Sequence, residues 1–293
     1  MTASSRAVLR TAGFLLGAVL LALAALFAVR HIDLGTLASA VRTPGGIGKL
    51  GTLAALTALG PVLAAATFHY LLRAHAGVPF GEMVALITSS WLANFAPLWP
   101  GLAGRVAYHR LVHGLAVKRS MMALVWARVL TATVAAIGLS TWVLGPWAGA
   151  CAAPVALGIA LGARLTGDRA ADLLAAGACR ALELMVWAAR YAIALELLSL
   201  ASSIELVLSL AAVSMLVQAV PLAPNGLGMR EWASGWVGAR SGLALADGLS
   251  ADLVNRAVDV VVAVPLGLVA FTMLARRRLT NPQEPAPGSA RDD

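Results

Sequence analysis

Leu50–Leu72 reads LGTLAALTALGPVLAAATFHYLL, and this stretch decides the fold class. It contains no Asp, Glu, Lys or Arg, and it is about as long as the roughly 20 residues that a helix needs to cross a bilayer. Thr11–Val29 and Val258–Ala275 are similar long apolar runs. Backbone amides in lipid need partners within their own segment, so we predict that these runs are transmembrane α-helices.

The composition extends this prediction to the whole chain. Hydrophobic residues make up 60% of the 293 positions and charged residues only 12%, whereas soluble domains average about a quarter charged residues. We therefore predict an all-α, polytopic transmembrane helical bundle that forms a single domain over residues 11–278. Residues 1–10 are expected to be a short N-terminal tail, and the proline-rich residues 279–293 a disordered C-terminal tail.

The positive charge of the chain lies mainly beside the apolar runs. Lys and Arg number 22 against 14 Asp and Glu, which gives a formal charge of +8. Cytoplasmic loops of membrane proteins collect Lys and Arg, and this bias explains the charge without a nucleic-acid partner. Arg6 and Arg10 precede the first run, and Arg276 and Arg277 follow the last one. We expect both termini to be cytoplasmic and the number of crossings to be even.

Hydropathy along the chain predicts about eight membrane elements, six of them long and two broken by proline and glycine. In order, the elements are Thr11–Val29, Leu50–Leu72, Glu82–Phe95, Met121–Gly145, Trp147–Leu165, Ala171–Leu200, Ile204–Val220 and Ala251–Leu274. Two shorter helices are also predicted. Arg105–Ser120 is expected to be an interfacial amphipathic helix, and Glu231–Ser241 a short helix rich in Gly and Trp.

The two broken segments end in similar motifs, which indicates an internal repeat with halves at roughly 50–145 and 171–275. The first motif is Pro-Leu-Trp-Pro-Gly-Leu at 97–102, and the second is Pro-Leu-Ala-Pro-Asn-Gly-Leu at 221–227. In each motif an arginine follows the Gly of Gly-Leu by four residues, and a further arginine lies in the next span. The residues expected to form the breaks and line a site are Asn94, Pro97, Pro100, Gly101, Pro221, Pro224, Asn225, Gly226 and Gly228.

The chemistry of these breaks favours an anion. Prolines cannot continue a helix, and non-helical backbone at membrane depth persists only where protein or a water-filled cavity satisfies it. A helix that starts after such a break presents free amides, and an arginine beside it adds the fork geometry that suits phosphate or carboxylate. The residues expected to bind a lipid headgroup are Arg105, Arg128, Arg230, Glu231, Arg256 and Asp259.

Within that set the two acids are expected to balance the arginines or to hold a cationic substituent. Glu231 has Arg230 and Arg256 as alternative partners. Two further pairs mark the long sixth segment, Arg180 with Glu183 and Arg190 with Glu196. A second interpretation of the motifs remains open, in which the breaks are kinked surface loops and the arginines follow the bias of cytoplasmic loops.

The sequence contains no motif of a soluble enzyme, and neither a cofactor nor a metal ion is predicted. It lacks a Walker loop, a His-Glu-x-x-His helix and a Gly-x-Ser-x-Gly turn. His109 and His113 are four residues apart, but no nearby carboxylate in the sequence completes a set of metal ligands. We expect a protein that is not an enzyme.

The ordered motif residues resemble the lysylphosphatidylglycerol synthase transmembrane region, a flippase-like family, over roughly Thr11 to Arg278. The resemblance implies a bacterial inner-membrane protein, and the best understood members of the family move a lysyl-lipid between leaflets. The synthases also carry a soluble aminoacyl-transferase domain, which residues 279–293 cannot supply, so lysyl transfer is not expected. Asn225 stands where the family usually has glycine, and Asn tolerates the left-handed conformation such a turn needs.

The expected function is therefore translocation of a phospholipid or another lipid between leaflets, with membrane lipid as the partner. The alternative is a membrane subunit that does not transport but recruits or regulates a lipid-modifying or glycosyltransferase enzyme. A permease for small water-soluble molecules is a third possibility. The sequence does not indicate the lipid or the oligomeric state.

Overall fold

A computed structural model describes residues 3–31, 35, 39, 41–75, 77–96, 100–144, 170–219 and 224–280. In these ranges the chain forms nine α-helices and no strand. The helices are α1 Ala3–His31, α2 Pro44–Leu72, α3 Phe80–Ala93, α4 Pro100–His113, α5 Val117–Leu144, α6 Ala170–Leu197, α7 Ile204–Ala219, α8 Met229–Arg240 and α9 Leu245–Thr280. The predicted span Trp147–Leu165, Pro97, Pro221 and the tail from residue 281 lie outside the described residues.

Within the described ranges, three helices are long and apolar enough to cross a membrane. They are α2, the Val117–Ser140 part of α5 and the Leu245–Arg276 part of α9. Shorter apolar segments occur in α1, α3 and α7, whereas α6 is interrupted by five charged side chains. The all-helical fold and its membrane character agree with the sequence prediction. A bundle of about eight membrane elements is not established by these helices.

The start of α2 is determined by a local cap. Thr43 has extended backbone and its side-chain oxygen accepts a hydrogen bond from the amide of Gly46 at 3.0 Å. Pro44 then occupies the first turn, where its missing amide hydrogen costs nothing. This helix consequently begins six residues before the predicted Leu50. Pro61 lies inside this helix and lines a cavity between the helices.

The prediction of one continuous helix over Arg105–Ser120 is wrong, because the chain turns at Gly114. Gly114 has φ of +62°, a left-handed conformation that favours glycine. The helix α4 therefore ends at His113, and α5 begins at Val117. Leu115, in the turn between them, is buried in the core and joins the two helices by packing.

The helices from α2 to α5 and from α6 to α9 follow the same order of long, short, short and long. The two long first helices, α2 and α6, pack against each other. The second helix of each set packs on the last helix of the other set, so that α3 contacts α9 and α7 contacts α5. These crossed contacts connect the two sets of helices to each other.

A glycine at each break allows a close approach of backbones. A Cβ on Gly101 would lie 2.5 Å from Asn94 Oδ1 and closer still to Ser90 O, so the start of α4 touches the end of α3. Gly228 has φ of +74°, and a Cβ there would collide with the backbone of α1 at Gly17. Any larger residue would therefore push these helices apart.

Candidate functional site

A cavity of about 200 Å³ lies between α2, α3, α4, α5, α6, α7 and α9. At about 30 Å³ per molecule, it has room for roughly six waters. Its wall contains polar groups beside apolar and aromatic ones. The charged side chains that line it are Arg105, Arg128, Arg180, Glu183, Arg190 and Asp259. The uncharged polar side chains that line it are Thr57, Ser90, Asn94, Thr131, Gln218 and Asn225.

Arg105 and Arg128 form no ion pair with any carboxylate in the described part of the chain. The guanidinium of Arg105 stacks on the ring of Phe68 at 4.3 Å from the centroid, and its buried Nε has no hydrogen-bond partner among these residues. Arg128 is exposed within α5 and donates one hydrogen bond, from Nη1 to the carbonyl oxygen of Gln218 at 2.9 Å. Most donors of both groups therefore remain available to a ligand.

The other two arginines of the wall are neutralised by acids. Arg180 Nη1 lies 2.5 Å from Glu183 Oε2, as the sequence predicted for that pair. Arg190 does not pair with Glu196, because its Nη2 lies 2.6 Å from Asp259 Oδ1 on α9. Glu196 instead pairs at the surface with Lys49 at 3.1 Å. Arg190 also stacks on the ring of Trp187 at 4.2 Å from the centroid.

The arginine of the second motif, Arg230, lies behind the cavity wall and does not line it. It is 1% exposed, and its Nε lies 2.8 Å from Asp252 Oδ2. Its Nη1 lies 3.1 Å from Asp259 Oδ2, so both oxygens of Asp259 are bound to arginines. A residue held in this way by two carboxylates has little capacity left for an anionic ligand.

Glu231 and Arg256 also lie outside the cavity wall, where they form an ion pair with each other. Arg256 Nη2 additionally donates to the carbonyl oxygen of Asn225 at 3.3 Å, which ties α9 to the second break. Of the six predicted headgroup-binding residues, the structure brings Arg105, Arg128 and Asp259 to one cavity. It places the remaining three in the layer behind.

Sequence reasoning missed the buried polar cluster around Tyr191. The Tyr191 hydroxyl donates to Asp252 and lies 2.5 Å from Ser214 Oγ, and all three side chains are buried. Asp252 precedes Arg256 by four residues on α9, which is one helical turn. That spacing was a usable signal. Nothing in the sequence indicates that Tyr191 reaches this turn.

The break residues occupy different places around the site. Asn94 caps α3 and lines the cavity, and its side-chain oxygen has no partner among the described residues. Pro100 is the first residue of α4, and Pro224 begins a short 3₁₀ turn that ends at Gly226.

The turn at the second break is built from left-handed residues. Asn225 has φ of 49°, so the prediction that it adopts a left-handed conformation is confirmed. Gly226 and Gly228 also have positive φ, at 65° and 74°. Such a turn lets the chain reverse between α7 and α8 while the carbonyl of Asn225 faces Arg256.

The two histidines of α4 have partners that the sequence did not predict. His113 Nε2 lies 2.8 Å from Glu82 Oε1, a carboxylate that also accepts a hydrogen bond from Tyr108. His109 Nδ1 lies 2.9 Å from Ser120 Oγ. The structure thus places one carboxylate, that of Glu82, beside His113. Even so, the described residues contain no group of three or more His, Cys, Asp or Glu side chains able to hold a metal ion.

Comparisons with protein families, with curated proteins and with solved structures found no match to this chain. The likeness to the flippase-like family therefore stays a prediction that rests on the motif residues. The cavity carries an excess of positive charge in a partly open space between helices, which favours an anion.

Proposed function

We propose that the chain is a lipid transporter of the bacterial inner membrane, which takes an anionic headgroup into the central cavity and moves it between leaflets. The observation that carries this proposal is the pair Arg105 and Arg128, which line the cavity without a carboxylate partner among the described residues. The protein would act by binding and release, with no covalent step.

The cost of placing ionised arginines inside a membrane protein supports a ligand. An ionised side chain within a membrane protein is costly and faces the bundle interior or water, where it pairs with another group. Arg128 is the twelfth residue of α5, inside one of the three helices able to span a membrane. A bound phosphate or carboxylate would supply the missing partner through short charged hydrogen bonds.

The order and packing of the helices support a duplicated architecture. Exchanging the set α2–α5 with the set α6–α9 leaves the main contacts unchanged, because α2 meets α6 and each short second helix meets the last helix of the other set. Many transporters consist of two such repeats around a site near the middle of the membrane. The proposed architecture is a bundle of about eight membrane elements with two broken segments and with both termini cytoplasmic.

The experiment that tests the proposal measures lipid movement in vesicles. Purified protein is reconstituted with a fluorescent anionic phospholipid, and the fraction of probe exposed on the outer leaflet is followed with a membrane-impermeant quencher. We expect wild-type protein to move the lipid and Arg105→Gln plus Arg128→Gln protein to lose most of that movement. Arg110→Gln is the matched control, since Arg110 is an exposed arginine on the same helix α4.

Each outcome separates the alternatives. Equal lipid movement in wild-type and doubly substituted protein would overturn the site. Absence of movement in the wild type, together with a stoichiometric lipid-modifying or glycosyltransferase enzyme in pull-downs, would favour a recruiting subunit instead. Saturable uptake of a water-soluble anion into the vesicles would favour a permease.

A further inference from the structure

The two long helices α5 and α9 differ in the charge that surrounds their central arginine. Arg128 is the twelfth residue of α5 and Arg256 the twelfth residue of α9. Residues four before and three after such an arginine lie on the same helical face. On α9 these positions hold Asp252 and Asp259, respectively, whereas on α5 they hold Leu124 and Thr131.

The acids of α9 neutralise the arginines of the second half. Asp259 and Asp252 bind Arg230, and Asp259 also binds Arg190. Glu231 binds Arg256. The layer behind the cavity, which holds Arg230 and Arg256 with Asp252 and Glu231, therefore carries no net formal charge.

The first half has no acids at the corresponding positions, so its charge stays in the cavity. Leu124 and Thr131 both line the cavity wall, where they face the same space as Arg128. In the described part of the chain, four arginines and two carboxylates line this wall, and both carboxylates are held by arginines. Among the described residues, the excess is therefore about two positive charges, those of Arg105 and Arg128.

We propose that the cavity selects a phosphomonoester dianion and has no place for a headgroup that carries an added cation. Two excess guanidinium groups match the roughly two negative charges of a phosphomonoester at neutral pH. A phosphodiester supplies only one. A cationic substituent would need a carboxylate, and Glu183 and Asp259, the two that line the wall, are already paired.

That the phosphate belongs to a lipid rests on the proposed function. The preference for a dianion would apply equally to a soluble phosphate ester. The probes are phosphatidic acid, phosphatidylglycerol, lysyl-phosphatidylglycerol and soluble glycerol 3-phosphate. Binding of each to the purified full chain in detergent is measured by the shift in the thermal unfolding midpoint and by native mass spectrometry. We expect phosphatidic acid to bind about 10- to 100-fold more tightly than phosphatidylglycerol, the effect of one additional charged hydrogen bond.

The pH of the assay separates a dianion from a monoanion. The second proton of a phosphomonoester leaves near pH 6, so phosphatidic acid should bind more tightly as the pH rises from about 5 to about 7.5. Phosphatidylglycerol has no such proton, so any change in its binding with pH reports a change in the charge of the protein. The charged groups of the wall are Arg105, Arg128, Arg180, Arg190, Glu183 and Asp259. A parallel change for both lipids would overturn the inference.

A substitution at Thr131 tests the charge count directly. Thr131→Asp places on α5 the carboxylate that α9 has at Asp259, which reduces the excess to about one charge. We expect this variant to lose the preference for phosphatidic acid over phosphatidylglycerol. Thr131→Asn changes the shape without adding charge and should keep the order of preference. If Thr131→Asp and Thr131→Asn behave alike, the charge excess does not select the ligand.

The remaining outcomes distinguish this inference from the proposed function. Tighter binding of phosphatidylglycerol or of lysyl-phosphatidylglycerol would overturn the dianion class, even if the vesicle assay shows lipid movement. Glycerol 3-phosphate that binds as tightly as phosphatidic acid would support the dianion class and count against a lipid ligand. If phosphatidic acid binds selectively and the Arg105→Gln variant loses that binding, both the dianion class and a lipid ligand are supported.

Discussion

Replacing Asp259 by Asn should destabilise the protein strongly, because Asp259 is shared by two buried arginines. Its Oδ1 lies 2.6 Å from Arg190 and its Oδ2 3.1 Å from Arg230, and these two arginines are 3% and 1% exposed. Asn keeps one oxygen but presents an amide donor to the other guanidinium. Two charged hydrogen bonds at about 1.5–3 kcal/mol each agree with the roughly 3–5 kcal/mol that breaking a buried ion pair costs.

The matched control is the surface pair of Lys49 and Glu196. Their N–O distance is 3.1 Å, but the side chains are 41% and 55% exposed. Removing this pair by Lys49→Gln should change the free energy of unfolding by no more than about 1 kcal/mol, because water screens it. Each variant removes one charge from an ion pair, but the pair at Asp259 is buried and the pair at Lys49 is exposed.

The assay is unfolding by SDS in mixed micelles, followed by the fluorescence of the eight tryptophans. The expected loss for Asp259→Asn corresponds to an unfolding equilibrium constant about 100- to 4000-fold higher than that of the wild type. A value within about 1 kcal/mol of Lys49→Gln would refute the reasoning. The double variant Arg190→Met with Asp259→Leu removes both charges and should be more stable than Asp259→Asn. If it is not, packing rather than charge determines the loss.

Two further predictions concern the breaks, and the same unfolding assay checks both. Gly101→Ala should cost about 1–3 kcal/mol, because the new Cβ would lie 2.5 Å from Asn94 Oδ1 and closer to Ser90 O. Gly104→Ala, with nothing within 4 Å, should be neutral or stabilising, and equal effects at the two glycines would contradict this account. Asn225→Val should cost about 1–2 kcal/mol at φ of 49°, whereas Asn225→Gly should be tolerated. Equal stability of these two variants would contradict the argument from the left-handed turn.

The membrane segments were predictable because hydropathy is a local property. The apolar run Leu50–Leu72 determines its own helix through the need to pair backbone amides in lipid, and only its start, at Pro44, depends on the Thr43 cap. The prediction for Arg105–Ser120 failed, since helical spacing of apolar residues continued past Gly114. A glycine in left-handed conformation ends a helix without interrupting such a pattern.

The candidate site was predictable only in part. The motif arginines were identified as a group, and the acids Glu231 and Asp259 were expected to balance them or to hold a cationic substituent. The structure pairs those acids with arginines, so among the described residues the cavity charge without a carboxylate partner lies at Arg105 and Arg128. Residue types alone do not distinguish an acid that serves a ligand from one that neutralises a neighbour.

The sequence by itself determined that the chain forms apolar helices, where proline and glycine break them, and which arginines stand beside the breaks. These properties depend on short stretches of chain, namely hydropathy, backbone preference and spacing along a helix. Only the tertiary structure decided which arginines are paired and which are not. Pairing across α6, α8 and α9 joins residues such as Arg190 and Asp259, 69 positions apart, and depends on how the helices pack.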